Sequence, residues 1–476
     1  MKLKIAIHNF HTNPNNSSAR DGANFAYSEY VQLLNNNDQN IQVKIHDFNR
    51  LCQDDSYAYT VLKDCDCVVS NVGPHAYIYF YLRQKLQLDF RIVRDVRTAL
   101  WNGYLLQEFL VSPYLREQDT VIFSSAYSRD LFKKLFPHIR TESMFVCYPL
   151  MNFFPAQRSD GFQKQSFSKS PIMIGYIGRL TPDKNFSQAL DLIIKLEKTN
   201  PGKFLLHAIG ENPFSQYQLK SIQRRLKTEI GKPELYTWSP PVAHNQIWNE
   251  YNKIDILFFP STSNLETFGR VLIEASYWGL PILSSSSAAA PELLPQESLL
   301  PTQYYTNQDF DTHRAHPLGQ VDIDAAMDKL TNLSKLPASS SYYTHYSNHN
   351  QLYFNILHEG NNIHQNSYIA TEQQRQFIRS VSISELNKIS SMIQADNIIS
   401  ELRHFLITIQ DYGSPKYYTA LVELLIRSRY RAKTLRFIRR SIKLHEDFTN
   451  IGGIDLQMAH IIKFYPYFNL SSQETL

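Results

Sequence analysis

The stretch from Asp255 to Pro281, DILFFPSTSNLETFGRVLIEASYWGLP, constrains the fold more than any other part of this chain. It opens with Ile256–Phe259, an apolar run of the length and composition of a buried strand. Pro260-Ser261-Thr262-Ser263-Asn264 then break the run into a loop. From Thr267 or Gly269 onward, Val271, Leu272, Ala275 and Ser276 recur with helical spacing, and Gly279 and Pro281 stop the helix. The segment is therefore strand, loop, helix, with Glu266 in the loop and Glu274 about one turn into the helix.

That arrangement suits a particular kind of ligand. A helix N-terminus offers unpaired backbone N–H groups and the positive end of a dipole, which favours phosphate or diphosphate. Carboxylates before and after it can accept hydrogen bonds from hydroxyls on either side of that phosphate. A nucleotide sugar has this order of groups. Two isolated glutamates would more often be solvated residues of a surface helix, so the detail around them decides.

FFPSTSNLETFGRVLIEASYWGLPIL resembles the Glu-x7-Glu signature of retaining GT-B glycosyltransferases, the large family-four group. Pro-Ser, Glu, Phe-Gly, Glu-Ala and Gly-Leu-Pro all fall in register. A second segment agrees. Pro171–Ile177 reads as a strand, followed by Gly178-Arg179-Leu180-Thr181-Pro182-Asp183-Lys184-Asn185-Phe186 and a helix from Ser187 to about Lys198. This is similar to the family's Gly-Arg…Lys-Asn segment, whose arginine and lysine hold the donor diphosphate. Two cations there neutralise the charge that builds on a departing nucleoside diphosphate.

The resemblance implies an α/β fold of GT-B type, two Rossmann-like domains facing across a cleft. Residues 1–157 would form the acceptor-side domain, 171–340 the nucleotide-sugar-binding domain, 341–360 a crossover helix and 361–476 an α-helical extension. It also implies a metal-independent, retaining hexosyl transfer from a UDP- or GDP-linked sugar, with no other cofactor. On its terms Arg179 and Lys184 take the diphosphate, Glu274 the ribose hydroxyls and Glu266 the donor sugar. The backbone around Gly178, Phe268, Gly269 and Arg270 would help at the sugar or phosphate. Relatives of this kind build bacterial surface polysaccharides and glycolipids on lipid-linked acceptors. A cytoplasmic protein, peripheral at the inner face of the membrane, is therefore expected.

The rest of the chain fits that layout. Strand-like runs at Lys2–His8, Gln42–His46, Cys67–Ser70, Phe90–Val93 and Val121–Ser124 alternate with helical segments, as in a doubly wound parallel sheet. Ligands bind such sheets beyond the carboxyl ends of the strands, where His75 and Arg97 should lie. Gly22 opens the helix after the first strand, where glycine lets backbone approach a phosphate. An ordinary strand-to-helix turn explains Gly22 equally well. Three places depart from the family. Gly22 stands where two glycines are common, Asn212 replaces the second glycine of Gly-x-Gly, and Arg97 takes the place of a histidine that often ends the strand running here as RIVRDVRT. Either Arg97 assists the phosphate or sugar instead, or His75 fills the role.

Composition narrows the classes further. A chain of 476 residues is long enough for about three domains. A net charge of +4 does not imply nucleic acid. Four cysteines are too few for a disulfide framework, and Cys65-Asp66-Cys67 is too tight for a zinc site. No stretch approaches the ~20 apolar residues of a membrane span, so any membrane contact would be peripheral. Residues 425–444, LIRSRYRAKTLRFIRRSIKL, interleave basic and apolar side chains as helices on anionic membranes do. A solvated face on a helical bundle, or an oligomer contact, fits the same pattern. Two rivals remain: a catalytically weak GT-B subunit supporting a partner transferase, and a phosphorylase-like enzyme holding free phosphate with Arg179 and Lys184.

Overall fold

A computed structural model describes residues 2–9, 29–35, 40–70, 77–96, 115–137, 143–149, 171–243, 246–305, 315–333, 336, 348–360 and 370–381. Two parallel six-stranded sheets form its frame. The first holds β1 (Leu3–His8), β2 (Ile41–His46), β3 (Cys67–Ser70), β4 (Arg91–Val96), β5 (Thr120–Phe123) and β6 (Met144–Val146), in the order β2-β1-β3-β4-β5-β6. The second holds β7 (Ile172–Ile177), β8 (Phe204–Ile209), β9 (Tyr236–Ser239), β10 (Ile256–Phe259), β11 (Ile282–Ser285) and β12 (Leu299–Leu300), in the order β12-β11-β10-β7-β8-β9. A short antiparallel pair follows, β13 (Thr302–Tyr304) and β14 (Gly319–Val321). Helices of the first domain are α1 over 29–35, α2 (Phe48–Gln53), α3 (Asp55–Leu62), α4 (Tyr77–Lys85) and α5 (Ala126–Leu135). Those of the second are α6 (Phe186–Thr199), α7 (Leu219–Ile230), α8 (Ile247–Tyr251), α9 (Arg270–Tyr277), α10 (Ala290–Leu293) and α11 (Ile323–Thr331).

The local sequence accounts for most of these elements. β3, β5 and β10 are buried along their whole length, as strands covered on both faces must be. In α6, Ala189, Leu190, Ile193 and Leu196 recur at helical spacing and all enter the core. Ser125 caps α5, its Oγ accepting from the Ser128 N–H at 3.0 Å. β4 runs on to Val96, beyond the Val93 that its apolar run suggests. Arg94 and Asp95 hide it from a hydrophobicity pattern, yet both are buried and pair with Val121 and Ile122 of β5.

The order of the second sheet makes the functional edge. β8 and β9 lie on one side of β7, while β10, β11 and β12 lie on the other. Connections leaving β7 and β10 therefore diverge and open a crevice at the carboxyl ends of these two neighbours. After the second domain the chain returns to the first. α12 (Asn348–Glu359) places Tyr353, Ile356 and Leu357 in the same core as Ile5, Ile7 and Tyr30. α13 (Glu372–Ser380) packs on α5, with the Phe377 and Tyr127 rings stacked at 6.2 Å. Residues 370–381, assigned from sequence to the extension, are thus seated at the junction of the two domains. The polar stretch 158–169 and the basic stretch 425–444 lie outside the described residues. Among the described residues no helix is long and apolar enough to cross a membrane.

Candidate active site

The loop after β7 is shaped by close backbone approach. Gly178 and Gly210 both have positive φ, 147° and 144°, and the Gly178 N–H donates to Ile209 O at 2.9 Å. A Cβ on Gly210 would lie 1.9 Å from the Gly178 carbonyl oxygen, so only glycine fits there. Asn212, the departure from Gly-x-Gly, turns its side-chain amide onto Tyr217 O at 2.6 Å and fastens its own loop.

Asn185 ties this loop to the one after β10. It sits in the left-handed region, φ 55°, and its Nδ2 lies within 3.0 Å of Pro260 O, Thr262 Oγ1 and Gly319 O. Lys184, one residue earlier, then reaches across to Glu266, Nζ to Oε2, at 2.6 Å. Both side chains are 16% exposed, within reach of a ligand. Arg179 Nη2 lies 3.6 Å from Asp183 Oδ2, which also accepts from Ser263 Oγ at 2.8 Å. Burial alone would raise the Asp183 carboxyl. The charges of Lys184 and Arg179, with the Ser263 hydroxyl, outweigh it and hold the carboxyl below its ordinary value. The structure thus gathers Arg179, Lys184 and Glu266, three residues named from sequence, and adds Asp183 and Asn185 to hold them.

Gly269, at φ 89°, is the N-cap of α9 and turns the chain into the helix. Arg270 follows as the first helical residue. Its Nη1 and Nη2 donate to the two carboxylate oxygens of Glu29 on α1 at 2.8 and 2.9 Å, and its Nε donates to Glu274 Oε1 at 2.9 Å. Tyr251 OH donates to Glu274 Oε2 at 3.0 Å. Burial works against the Arg270 charge, but the two carboxylates prevail and push its pKa up. Glu274, the residue expected at the ribose, is 4% exposed and built into this polar network.

The first domain holds the same loop at two more points. Ser125 Oγ donates to Thr267 O at 3.0 Å, and the Tyr148 ring lies 5.5 Å from that of Phe268. Glu292 of α10 completes the junction. Its carboxylate accepts from Ala126 N and Tyr127 N at the start of α5, at 2.9 and 2.8 Å, from Gln374 Nε2 at 2.7 Å and from Tyr148 OH at 3.3 Å. Burial nevertheless pushes this carboxyl up.

His75, Arg97 and Gly22 lie outside the described residues. β3 and β4, which precede His75 and Arg97, are neighbours, with Ser70 paired to Arg94. Burial pushes the Cys65 and Cys67 thiols up to about 11, which suits inert core residues. Among the described residues no group of three or more His, Cys, Asp or Glu is placed to hold a metal ion.

Two Rossmann-like sheets, with a charged pair at the switch point of the second, define a GT-B protein. HepE from Anabaena, solved in complex with UDP, has a TM-score of 0.51 at 15% identity over 75% of this chain and 100% of its own. A glycosyltransferase from Rickettsia africae also has a TM-score of 0.51, at 13% identity over 75% of this chain and 98% of its own. Residues 157–306 match the family of glycosyl transferases group 1. The D-inositol 3-phosphate glycosyltransferase of Mycolicibacterium smegmatis is 29% identical over 119 residues, 25% of this chain and 26% of the relative. A probable sucrose-phosphate synthase of Thermosipho melanesiensis is 28% identical over 173 residues, 35% of this chain and 38% of the relative. The chain therefore spans well under half the length of these curated relatives. The match to glycosyl transferases group 1 falls on the second domain of a GT-B frame.

Proposed function

We propose that this chain is a retaining glycosyltransferase that moves a sugar from a nucleoside-diphosphate sugar to an acceptor hydroxyl. The observation that carries this reading is the Lys184–Glu266 pair, 2.6 Å apart at the β7/β10 switch point. One ligand can divide such a pair. The diphosphate replaces Glu266 as the counter-ion of Lys184, and the released carboxylate accepts hydroxyls of the donor sugar. Arg179 supplies a second fixed cation. Charge that grows on the departing diphosphate meets preorganised positive groups, which lowers the barrier without a metal. Retention follows when the acceptor enters on the face the diphosphate leaves. The acceptor oxygen bonds to the anomeric carbon as the bond from that carbon to the phosphate oxygen breaks, and a phosphate oxygen takes the acceptor's proton.

The group 1 match and the names of the curated relatives support glycosyl transfer. HepE, of the same fold and seen with UDP, makes uridine the first base to try, with guanosine next. We place the reaction in bacterial surface polysaccharide or glycolipid synthesis, on a glycan or lipid-linked acceptor. The protein would work in the cytoplasm, held at the inner membrane face by the basic residues of 425–444. The test is release of nucleoside diphosphate from a panel of nucleotide sugars, with and without acceptor sugars. Release from one donor, lost in Lys184→Ala, is expected. Binding without release from any donor would favour a catalytically weak subunit, a second reading that the burial of Glu274 makes worth testing.

A further inference from the structure

The segment that carries Glu266 and Glu274 is gripped from the first domain at three places. Ser125 holds Thr267 O, Tyr148 packs on Phe268, and Glu29 takes Arg270. Of these the Glu29 contact reaches a donor-site side chain through a single residue. Glu29 and Arg270 are 241 positions apart and meet through two parallel hydrogen bonds, the geometry that makes a guanidinium–carboxylate pair both strong and directional. The Glu29 side chain is 0% exposed, Arg270 is 15% exposed and Glu274 is 5% exposed. Breaking a buried ion pair by removing one member is costly, so a carboxylate as deeply buried as Glu29 holds its paired cation firmly. Arg270 therefore cannot turn freely between its two acids. Nη1 and Nη2 donate to Glu29, while Nε donates to one oxygen of Glu274 and Tyr251 to the other. Those two bonds set the plane of the Glu274 carboxylate.

We infer that Glu29, a residue of the first domain, is a positioning residue for the donor: through Arg270 it orients Glu274 toward the ribose hydroxyls when the two domains are together. The inference rests on the glycosyltransferase reading above. It has a direct consequence. Donor affinity belongs to both domains, although the nucleotide would touch the second. Removing the Glu29 charge loosens Arg270, which then swings onto Glu274 with its full fork and takes the oxygens that the ribose needs.

The experiment measures binding of nucleoside diphosphates to the full chain by calorimetry, each with its 2′,3′-dideoxy counterpart. Glu29→Gln keeps the size of the side chain and removes its charge. It should weaken binding of the natural diphosphate by about tenfold, in line with loss of well-placed hydrogen bonds to a charged group. Binding of the dideoxy compound, which has no ribose hydroxyls for Glu274, should stay within about twofold of wild type. Arg270→Lys, which keeps the charge but loses the fork, should show the same selectivity. Circular dichroism spectra and thermal midpoints confirm that each variant is folded. If Glu29→Gln does not fold, Arg270→Lys decides the question by itself. Equal weakening of both compounds, or of neither, overturns the role of Glu29 and leaves the transferase reading standing. A wild-type protein that binds no nucleoside diphosphate of any base overturns both.

Discussion

Gly178 and Gly210 provide a matched pair for testing how the loop after β7 is built. Their φ angles, 147° and 144°, are nearly equal, so alanine meets the same backbone strain at either site, about 1–3 kcal/mol. Their surroundings differ. A Cβ on Gly178 has no neighbour within 4 Å, whereas one on Gly210 would sit 1.9 Å from the Gly178 carbonyl oxygen. That oxygen belongs to backbone and cannot rotate away, so the loop after β7 must shift. Overpacking of this kind adds about 1–3 kcal/mol. Gly178→Ala should therefore lose about 1–3 kcal/mol and Gly210→Ala about 2–6 kcal/mol, a large share of the ~5–15 kcal/mol that usually holds a domain folded. The assay is urea unfolding of both variants followed by far-UV circular dichroism, comparing midpoints at unchanged slope. Because the displaced carbonyl precedes Arg179, Gly210→Ala should also bind nucleoside diphosphate more weakly. Equal losses in the two variants would refute the steric argument. Binding at full strength by folded Gly210→Ala would refute the link from this contact to Arg179.

Lys184→Ala should lower turnover by about 10²–10³ and leave the thermal midpoint nearly unchanged, because the ion pair it breaks is partly exposed and worth at most about 1 kcal/mol; turnover within tenfold of wild type would remove Lys184 from the diphosphate site. Glu292 predicts a pH dependence. Burial raises its carboxyl above the ordinary 4.5, so the folded state takes up that proton first, and the stabilisation is complete below 4.5 and lost as pH rises through the raised folded value. The stability of wild type minus that of Glu292→Gln, from urea titrations at stepped pH, should therefore fall as pH climbs out of that range, and a flat difference would contradict it. Replacing Arg429, Arg431, Lys433, Arg436, Arg439 and Arg440 by glutamine should abolish co-sedimentation with anionic vesicles at low salt, each cation contributing ~1 kcal/mol near such a surface. Equal binding by the variant, or no binding by wild type, would rule out this stretch as an anchor.

Much of the second domain is legible in the sequence because its information is local. ILFF, PSTSN and the helical spacing from Val271 to Ser276 encode strand, loop and helix within one stretch. Glycines 178 and 269 mark turns whose backbone other residues rarely adopt. The limits are equally physical. β12, β13 and β14 span two or three residues each, too few to show a period. The end of β4 is masked by Arg94 and Asp95, which the pairing with β5 buries regardless of their charge.

The sequence by itself offered the candidates for a donor site: two cations after one strand, and two carboxylates around a helix start after another. Tertiary structure decided which of them meet. Lys184 and Glu266 touch because β7 and β10 are neighbours and Asn185 fastens their loops together, an outcome of strand order that neither segment encodes. The sequence reading gives Arg270 a role through its backbone and gives Glu29 none. Only the packing of the first domain on the second brings them together. Burying those two charges is tolerable because each is the other's counter-ion, and that complementarity exists only once both domains are folded.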